Sequence, residues 1–262
     1  MIELKSRAEI DAMAESGSII GALFFELENR VAPGVSTLDL DHFAEEFIRS
    51  HEGATPVFKG LYGFPGTLCT SINDEVVHGI PSSERVLADG DIISIDVGVR
   101  LRGWCADSAR TFAVGEVSDE AQSLLRITAD ALERAVAVAV PDRHTGDIGH
   151  AVETTVRGTG FEIIRDLVGH GVGRKVHEEP QVPNLGSPGE GTKLREGMVL
   201  AIEPMIAVGT WKIRTLSDRW TMVTADNSLS AHFEHTVAVT ADGPRVLTGT
   251  RERISDTLRP LS

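Results

Sequence analysis

A short pattern that occurs twice constrains the fold of this chain more than any other feature. The paired residues, each pair 108 positions apart, are Pro33 and Pro141, Thr37 and Thr145, Asp39 and Asp147, His42 and His150, and Glu45 and Glu153, with Leu40 aligned on Ile148. Both copies have the composition of a helix start. Such a repeat predicts two similar halves, each a helix pair followed by strands; chance similarity is the alternative. We therefore expect one domain over residues 1–262, with halves at about 1–115 and 116–262 and a pocket where they meet.

Capping residues and apolar spacing predict four helices. Their expected bounds are Ser6 to about Val31, Thr37 to Gly53, Ser118 to Val140, and Thr145 to about Arg157. Ser6 and Glu9 form a capping box at the first start, and Thr37 is predicted to cap the second helix. From Phe161 onward the pattern indicates mainly strands and turns. The chain is therefore predicted to combine helices with strands.

Composition excludes several classes of protein. A net charge of -14 argues against a nucleic-acid surface. Only two cysteines are present, Cys69 and Cys105, which implies no disulfide framework and fits a reducing compartment. The N-terminus lacks a signal-peptide pattern, and no apolar run is long enough to span a membrane. We expect a cytoplasmic monomer.

Two aspartates lie in a predicted β-hairpin. Asp96 and Asp107 occupy β-rich runs on either side of a short turn that contains a glycine. A symmetric register centred between Leu101 and Arg102 places Asp96 directly opposite Asp107, with Cβ atoms roughly 4.5–5.5 Å apart. Like charges at that distance destabilise a sheet unless positive charge lies between them. The pair therefore favours a divalent cation; a solvated hairpin face is the alternative.

The second half supplies three further candidate ligands. His170 lies between glycines, which let the backbone approach a ligand closely; a buried histidine with a backbone partner is the alternative. Glu203 ends an apolar run before Pro204, and Glu234 lies in a strand-like run. A buried carboxylate is costly unless it is paired or metal-bound, although each could alone be structural. Together with the aspartates, these residues form a donor set suited to hard or borderline divalent ions.

The charge of this set indicates the chemistry. Four carboxylates carry too much negative charge for one small ion, and two ions about 3.5–4 Å apart balance it better. Such a pair lowers the pKa of a water and polarises a carbonyl, as hydrolysis requires. The sequence contains neither a Gly-rich phosphate loop before a helix nor a G-x-S-x-G nucleophile pattern. The metal site, not a covalent nucleophile, is expected to carry the reaction.

These residues, in this order, resemble the methionine aminopeptidases of the bacterial type I class over nearly the whole chain. Five blocks carry the resemblance: Ser71-Ile72-Asn73 with His78-Gly79-Ile80-Pro81, Asp91 to Val97 with Asp107, Gly169 to Gly173 with His177 to Pro180, Glu203-Pro204-Met205, and Ser228 to Ala231 with Phe233 to Thr236. The resemblance implies the pita-bread α/β fold, with pseudo-twofold halves and a central antiparallel sheet covered by helices. The repeat agrees with this independently.

The resemblance also implies how the metals are held. Asp96 would chelate one ion. Asp107 and Glu234 would bridge both. His170 and Glu203 would complete the other, with Glu203 also the proton shuttle for the attacking water. The implied cofactors are two divalent ions of Co, Mn, Fe, Zn or Ni.

Two further histidines are implied to contact the substrate. His78 and His177 would touch the scissile peptide and the tetrahedral intermediate without binding metal. The implied partner is a nascent polypeptide with an N-terminal methionine and a small second residue; docking at the ribosome is left open.

The implied pocket for the methionine side chain departs from the usual family pattern. By position its residues would be Phe58, Leu61, Phe64, Cys69, Val176 and Trp220. Leu61 and Phe64 stand where tyrosines are usual, Tyr62 where histidine is usual, and Val176 where an aromatic residue is common. A family site for one Na⁺ or K⁺ is matched by Asn73, Glu75 (through its backbone) and Ser230; capping of a turn is the alternative.

Several rival functions remain to be distinguished. An X-Pro-type aminopeptidase of the same fold, like the creatine-hydrolysing relatives, usually carries a domain ahead of the catalytic one, and here helices are expected from Ser6. Type II enzymes carry a long insertion between the His and Glu blocks, whereas here Glu203 follows His177 by only 26 positions. A non-catalytic pita-bread binding protein and a purely structural cation site are the remaining alternatives.

Overall fold

The computed structural model of the protein describes residues 2–249. Its helices are α1 (Arg7–Glu28), α2 (Thr37–Arg49), α3 (Asp119–Ala137) and α4 (Thr145–Val156), with a 3-10 turn at Leu61–Gly63. Its strands are β1 (Ala54–Pro56), β2 (Cys69–Ile72), β3 (Glu75–Val77), β4 (Ile92–Leu101), β5 (Trp104–Ala113), β6 (Glu162–Ile163), β7 (Gly169–Gly171), β8 (Glu178–Val182), β9 (Val199–Ile202), β10 (Met205–Ala207), β11 (Ile213–Thr215), β12 (Met222–Thr224), β13 (Ser230–His232), β14 (His235–Thr240) and β15 (Gly243–Val246).

The helix starts follow the capping chemistry, with one correction. The Ser6–Glu9 capping box at the start of α1 is present. The prediction that Thr37 caps α2 was wrong, because Ser36 is the N-cap. The Ser36 hydroxyl accepts the Asp39 N–H at 3.1 Å, and the Asp39 carboxylate accepts the Ser36 N–H in return. Only the residue just before the helix places its side-chain oxygen within reach of the backbone N–H groups two or three residues downstream.

The repeat falls on equivalent helix starts. At the same offset from α2, the Asp147 carboxylate of α4 accepts the His144 backbone N–H at 2.7 Å. The α1–α2 pair precedes the first long strands and the α3–α4 pair precedes the second set. The division into two related halves stays a prediction, now with matching local structure at both helix starts.

The strands form antiparallel sheets. The pairing orders are β1-β4-β2 with β5 on β4, β13-β10-β6, β11-β12-β3, and β15-β14-β9-β7-β8. Every strand pair among residues 2–249 is antiparallel. Within the same residues, none of the helices has the length and hydropathy that crossing a membrane requires.

The hairpin of β4 and β5 forms as predicted, but its register is different. Asp96 pairs with Ala109, and Asp107 pairs with Gly98, so the two aspartates are diagonal neighbours, not directly opposed. The turn consists of Arg102 and Gly103, both with positive φ (49° and 87°). This is the backbone that a two-residue hairpin turn requires, and it moves the centre of the hairpin by one residue. Asp96 and Asp107 nevertheless share a face, because the side-chain period of a strand is two.

Helices cover the sheets from outside. One apolar cluster joins α1 and α2 to β4 and β5, and another joins α3 and α4 to the second-half strands. A third cluster contains residues of both halves, among them Met13, Trp104 and Val199. Burying such side chains stabilises the fold by roughly 25 cal/mol per Å² of apolar surface. The packing holds β5 against β14, and the candidate site lies there.

Candidate metal centre

A cleft of about 610 Å³ opens beside β5 and β14. All five side chains predicted as metal ligands line it: Asp96, Asp107, His170, Glu203 and Glu234. They come from β4, β5, β7, the end of β9 and the residue before β14. Residues from both predicted halves therefore converge on one space.

Hydrogen bonds between β5 and the β13–β14 region set the position of two of these carboxylates. The backbone N–H of Asp107 donates to the Thr236 hydroxyl at 2.9 Å, and that hydroxyl donates to the Asp107 carbonyl at 2.7 Å. The backbone N–H of Glu234 donates to the Ala109 carbonyl at 2.8 Å. Because both backbones are tied across the junction, their side chains face the same cleft.

Three carboxylates form the centre of the site. Asp96, Asp107 and Glu234 each place an oxygen within 4.8 Å of the other two. Asp107 is 3% exposed and Glu234 2%. One oxygen on each of the three is buried without a hydrogen-bond partner among residues 2–249. Buried acceptors without partners are rare in native proteins and call for an ion or a water.

Burial and mutual repulsion disfavour ionisation of this cluster in the absence of a cation. Burial raises the pKa of Asp107 to about 6. Burial and the neighbouring Asp107 raise the pKa of both Asp96 and Glu234 well above the ordinary range. A divalent cation would reverse this effect, since opposite charge favours the ionised form. The donor set and its unpartnered oxygens therefore fit divalent metal.

His170 and Glu203 complete the set. The His170 Nε2 atom lies 3.8 Å from Asp107 Oδ2 and 3.5 Å from Glu203 Oε1. Its Nδ1 atom lies 2.9 Å from the carbonyl oxygen of Gly171. This contact fixes the proton on Nδ1 and leaves the Nε2 lone pair facing the carboxylates, the arrangement of a metal-ligating histidine.

The two histidines predicted to contact substrate also line the cleft. His78 follows β3 with a left-handed φ of 61°, which is uncommon for a residue other than glycine. Its ring meets the Trp220 ring edge-on at 6.4 Å. The His177 ring lies 4.6 Å from that of His170 and stacks on exposed Tyr62 at 6.2 Å.

Both of these histidines are neutral near pH 7. Burial lowers the pKa of His78. Burial of part of its ring and the nearby His170 lower the pKa of His177 to about 4. A neutral imidazole can donate one N–H to a substrate oxygen. A His177 nitrogen also lies within 4.8 Å of ligand atoms of Asp107 and His170, so metal binding by His177 is a second role that the geometry allows.

The predicted methionine pocket is apolar and adjoins the carboxylates. Five of its six predicted residues line the cleft: Phe58, Leu61, Phe64, Cys69 and Trp220. Phe64 and Trp220 make an edge-on contact at 5.2 Å. Val176 is buried in the same apolar cluster but is not among the lining residues, so it supports the pocket from behind.

The three residues predicted for a monovalent cation lie close together. The backbone N–H of Ser230 donates to the Asn73 carbonyl at 2.8 Å. The Glu75 carboxylate accepts the Ile72 N–H at 2.9 Å and pairs with Arg85 at 2.6 Å. These bonds are those of a braced turn, the alternative considered from sequence. The cation site stays a prediction.

Residues that sequence reasoning missed also line the cleft. His232 is a buried one among them; Leu167, Glu178, Glu179, Gln181 and Met205 are others. Strand alternation back from Glu234 would have found His232, since residues two apart share a face. The others lie in loops or on short strands, where no periodic pattern marks a lining position.

Known proteins are similar to this chain in sequence and in structure. The model of metallopeptidase family M24 matches residues 11–241. A methionine aminopeptidase from Clostridium perfringens (strain 13 / Type A) is 53% identical, covering 95% of this chain and 99% of its own. The crystal structure of methionine aminopeptidase from Thermotoga maritima superposes with a TM-score of 0.93 at 42% identity, covering 95% of this chain and 100% of its own.

A more distant structure shows how widely the fold is shared. The prolidase from Pyrococcus horikoshii OT3 superposes with a TM-score of 0.77 at 24% identity, with 96% of this chain matched but only 65% of the prolidase. At that identity the likeness concerns the fold alone. The α/β pita-bread fold predicted from sequence is confirmed, and the chain belongs to metallopeptidase family M24 and, within it, to the methionine aminopeptidases.

Proposed function

We propose that this protein is a metal-dependent hydrolase that removes the N-terminal methionine from nascent polypeptides whose second residue is small. One observation carries the proposal. Five potential metal ligands, three of which have an unpartnered buried oxygen, share a cleft with an apolar pocket suited to a single side chain. A thioether side chain fits such a pocket because it is apolar and flexible.

The proposed metal ligands are Asp96, Asp107, His170, Glu203 and Glu234. Two divalent ions held there would supply a water of lowered pKa and would polarise the scissile carbonyl. Two ions suit the four carboxylates better than one, since each ion offsets two negative charges. The identity of the metal among Co, Mn, Fe, Zn and Ni is a matter for metal analysis.

The chain's own residues would move the protons. Glu203 lies at the cleft with one carboxylate oxygen near His170 and the other near His232. It would accept a proton from the attacking water as the oxygen–carbon bond forms. It would then deliver that proton to the leaving amine as the carbon–nitrogen bond breaks.

His78 and His177 would stabilise the developing oxyanion. Each is a neutral imidazole that can donate one N–H, and both rings face the cleft. Donors aimed at charge that develops only in the transition state contribute most to the rate. Exclusion of a large second residue would be steric.

Several finer features belong to the same proposal. The protein would act as a cytoplasmic monomer on chains emerging from the ribosome, in one catalytic domain built from two halves. The two free, buried cysteines support a reducing compartment. The equivalent starts of α2 and α4 support the two halves. A bound Na⁺ or K⁺ at Asn73, Glu75 and Ser230 would brace the turn next to the cleft.

Peptide cleavage with defined metals tests the function. The metal-free protein, reloaded in turn with Mn, Fe, Co, Zn or Ni under anaerobic conditions, should release methionine from Met-Ala-Ser and not from Met-Leu-Ser. Ala-Pro-Ser serves as the substrate for the X-Pro alternative. Cleavage of Ala-Pro-Ser instead would establish that alternative, and no cleavage with any metal would favour a binding protein.

A further inference from the structure

A buried histidine outside the proposed ligand set faces the reacting carboxylate. His232, at the end of β13, is 2% exposed. Its backbone is fixed on both sides by Thr111, whose hydroxyl accepts the His232 N–H at 2.9 Å and donates to the His232 carbonyl at 2.9 Å. The imidazole lines the cleft. Its position is therefore set by the junction of β5 and β13, not by chance packing.

The Nε2 atom of His232 lacks a partner. It is buried and has no hydrogen bond among residues 2–249. The nearest acidic oxygen is Oε2 of Glu203, at 3.5 Å, which is longer than a hydrogen bond. Catalytic hydrogen bonds are often long before ligands bind and tighten only in the reacting complex. The geometry thus places a donor one short movement away from an acceptor.

Glu203 lies between two imidazoles that differ in role. Its Oε1 atom is 3.5 Å from Nε2 of His170, the proposed metal ligand, and its Oε2 atom is 3.5 Å from Nε2 of His232. A carboxylate that must ligate metal and exchange a proton needs a fixed orientation. His170 cannot donate from Nε2, because its proton is held on Nδ1 by the Gly171 carbonyl. His232 is free to donate from Nε2.

We propose that His232 is a positioning residue that donates its Nε2–H to Oε2 of Glu203 and so orients this carboxylate. The inference rests on the proposed role of Glu203 as proton shuttle. With Oε2 held by His232, Oε1 faces the metal side. The proton taken from water and passed to the leaving amine never resides on His232, so His232 acts through Glu203.

Kinetics with metal-loaded protein provide the first test. We compare wild type with His232→Ala, His232→Gln and the exposed control His42→Ala, using Met-Ala-Ser and saturating Mn²⁺. His232→Ala should lower kcat by about 10–100-fold, the usual effect of removing such a partner, with KM changed less than threefold. His232→Gln should recover most of the loss, because its amide can donate to the same oxygen. His42→Ala should match wild type.

Two measurements separate positioning from other roles. Calorimetry should give the same Mn²⁺ stoichiometry for His232→Ala as for wild type; loss of an ion would make His232 a ligand and overturn the proposal. An equal fall in kcat for the Ala and Gln variants, or a change in KM alone, would also overturn it. The melting temperatures of both variants identify any general loss of folding.

A readout independent of turnover keeps the inference separate from the proposed function. In Zn²⁺-loaded wild type, NMR of ¹⁵N-labelled imidazoles should show a proton on Nε2 of His232, and Glu203→Gln should shift that signal. This result together with no methionine release would overturn the function and not the hydrogen bond. A His232 ring without a proton on Nε2 would overturn the hydrogen bond, even if every substituted variant failed to fold.

Discussion

Two buried aspartates in this molecule have nearly the same exposure and opposite surroundings. Asp41, on α2, is 4% exposed, and its Oδ1 atom accepts the backbone N–H groups of Thr67 and Leu68 at 2.7 and 2.8 Å. Asp107, on β5, is buried to the same degree, but its Oδ1 atom has no partner among residues 2–249. Burial raises the pKa of both carboxyls.

The difference separates a structural carboxylate, Asp41, from a proposed metal ligand, Asp107. Asp41 accepts hydrogen bonds from the loop that leads into β2, and these bonds offset part of the cost of its burial. Asp107 adjoins Asp96 and Glu234, so its neighbours add repulsion. Burial alone therefore does not identify a site; buried negative charge without a partner does.

The largest expected effect is the loss of activity when Asp107, the unpartnered aspartate of this comparison, is changed. Asp107→Asn removes one of the proposed metal ligands and should reduce kcat/KM by more than the roughly 10–100-fold typical of residues behind a metal ligand. Metal content should fall with it. Elemental analysis and Met-Ala-Ser assays provide the measurement. Full activity in a variant that retains its metal would show that Asp107 is not a ligand.

The second effect separates catalysis from metal binding within the cleft. His78→Ala should lower kcat by about 10²–10³-fold, as when one oxyanion donor is removed, while the metal content matches wild type. Steady-state kinetics paired with metal analysis test this. Loss of the metal together with activity would mean that His78 is wrongly assigned.

The third effect concerns Asp41, the hydrogen-bonded aspartate of the comparison, and the stability of the fold. Asp41→Ala leaves two buried N–H groups without an acceptor, which should lower the free energy of unfolding by about 2–4 kcal/mol. Metal affinity should stay at the wild-type level. Urea unfolding of the metal-loaded protein measures the first quantity and calorimetry the second. An unchanged stability with a weakened metal site would reverse the assignment of the two aspartates.

The smallest effect is a pH dependence of the metal-free protein. Because the folded pKa of Asp107 is about 6, above its ordinary 3.8, ionisation of Asp107 opposes folding. The metal-free protein is therefore most stable, as far as Asp107 is concerned, below the pKa of this group in the unfolded chain. That stability is lost as the pH rises from about 4 through about 6. Metal-free Asp107→Asn should therefore exceed wild type in unfolding free energy at pH 8, with the gap closing towards pH 4. A gap independent of pH would contradict the raised pKa.

Sequence alone predicted the elements and the donor set because both follow local rules. Capping at Ser6 and apolar spacing predicted the helices. The aspartates of the predicted hairpin, with Glu203 at the end of an apolar run and Glu234 in a strand-like run, marked the candidate site. The predicted hairpin register was wrong because Arg102 and Gly103 form the turn, with a left-handed backbone conformation at both positions. The twist of the two flanking strands determines this turn type, and the pattern of apolar residues contains no information about that twist.

Other details, both local and long-range, were less predictable. The N-cap of α2 is Ser36 and not the predicted Thr37, because cap geometry depends on where the first helical turn closes. Val176 was assigned to the pocket wall yet packs behind it, since its orientation depends on neighbours distant in sequence. His232 lay two residues before a predicted ligand and was missed because its function depends on Glu203, from another strand.

Anomalous diffraction from crystals grown with Mn²⁺ tests the central claim most directly. Data collected above and below the manganese edge should show ions in the cleft, contacting Asp96, Asp107, His170, Glu203 and Glu234. Peaks elsewhere on the protein, or a cleft without manganese at saturating concentration, would contradict the account.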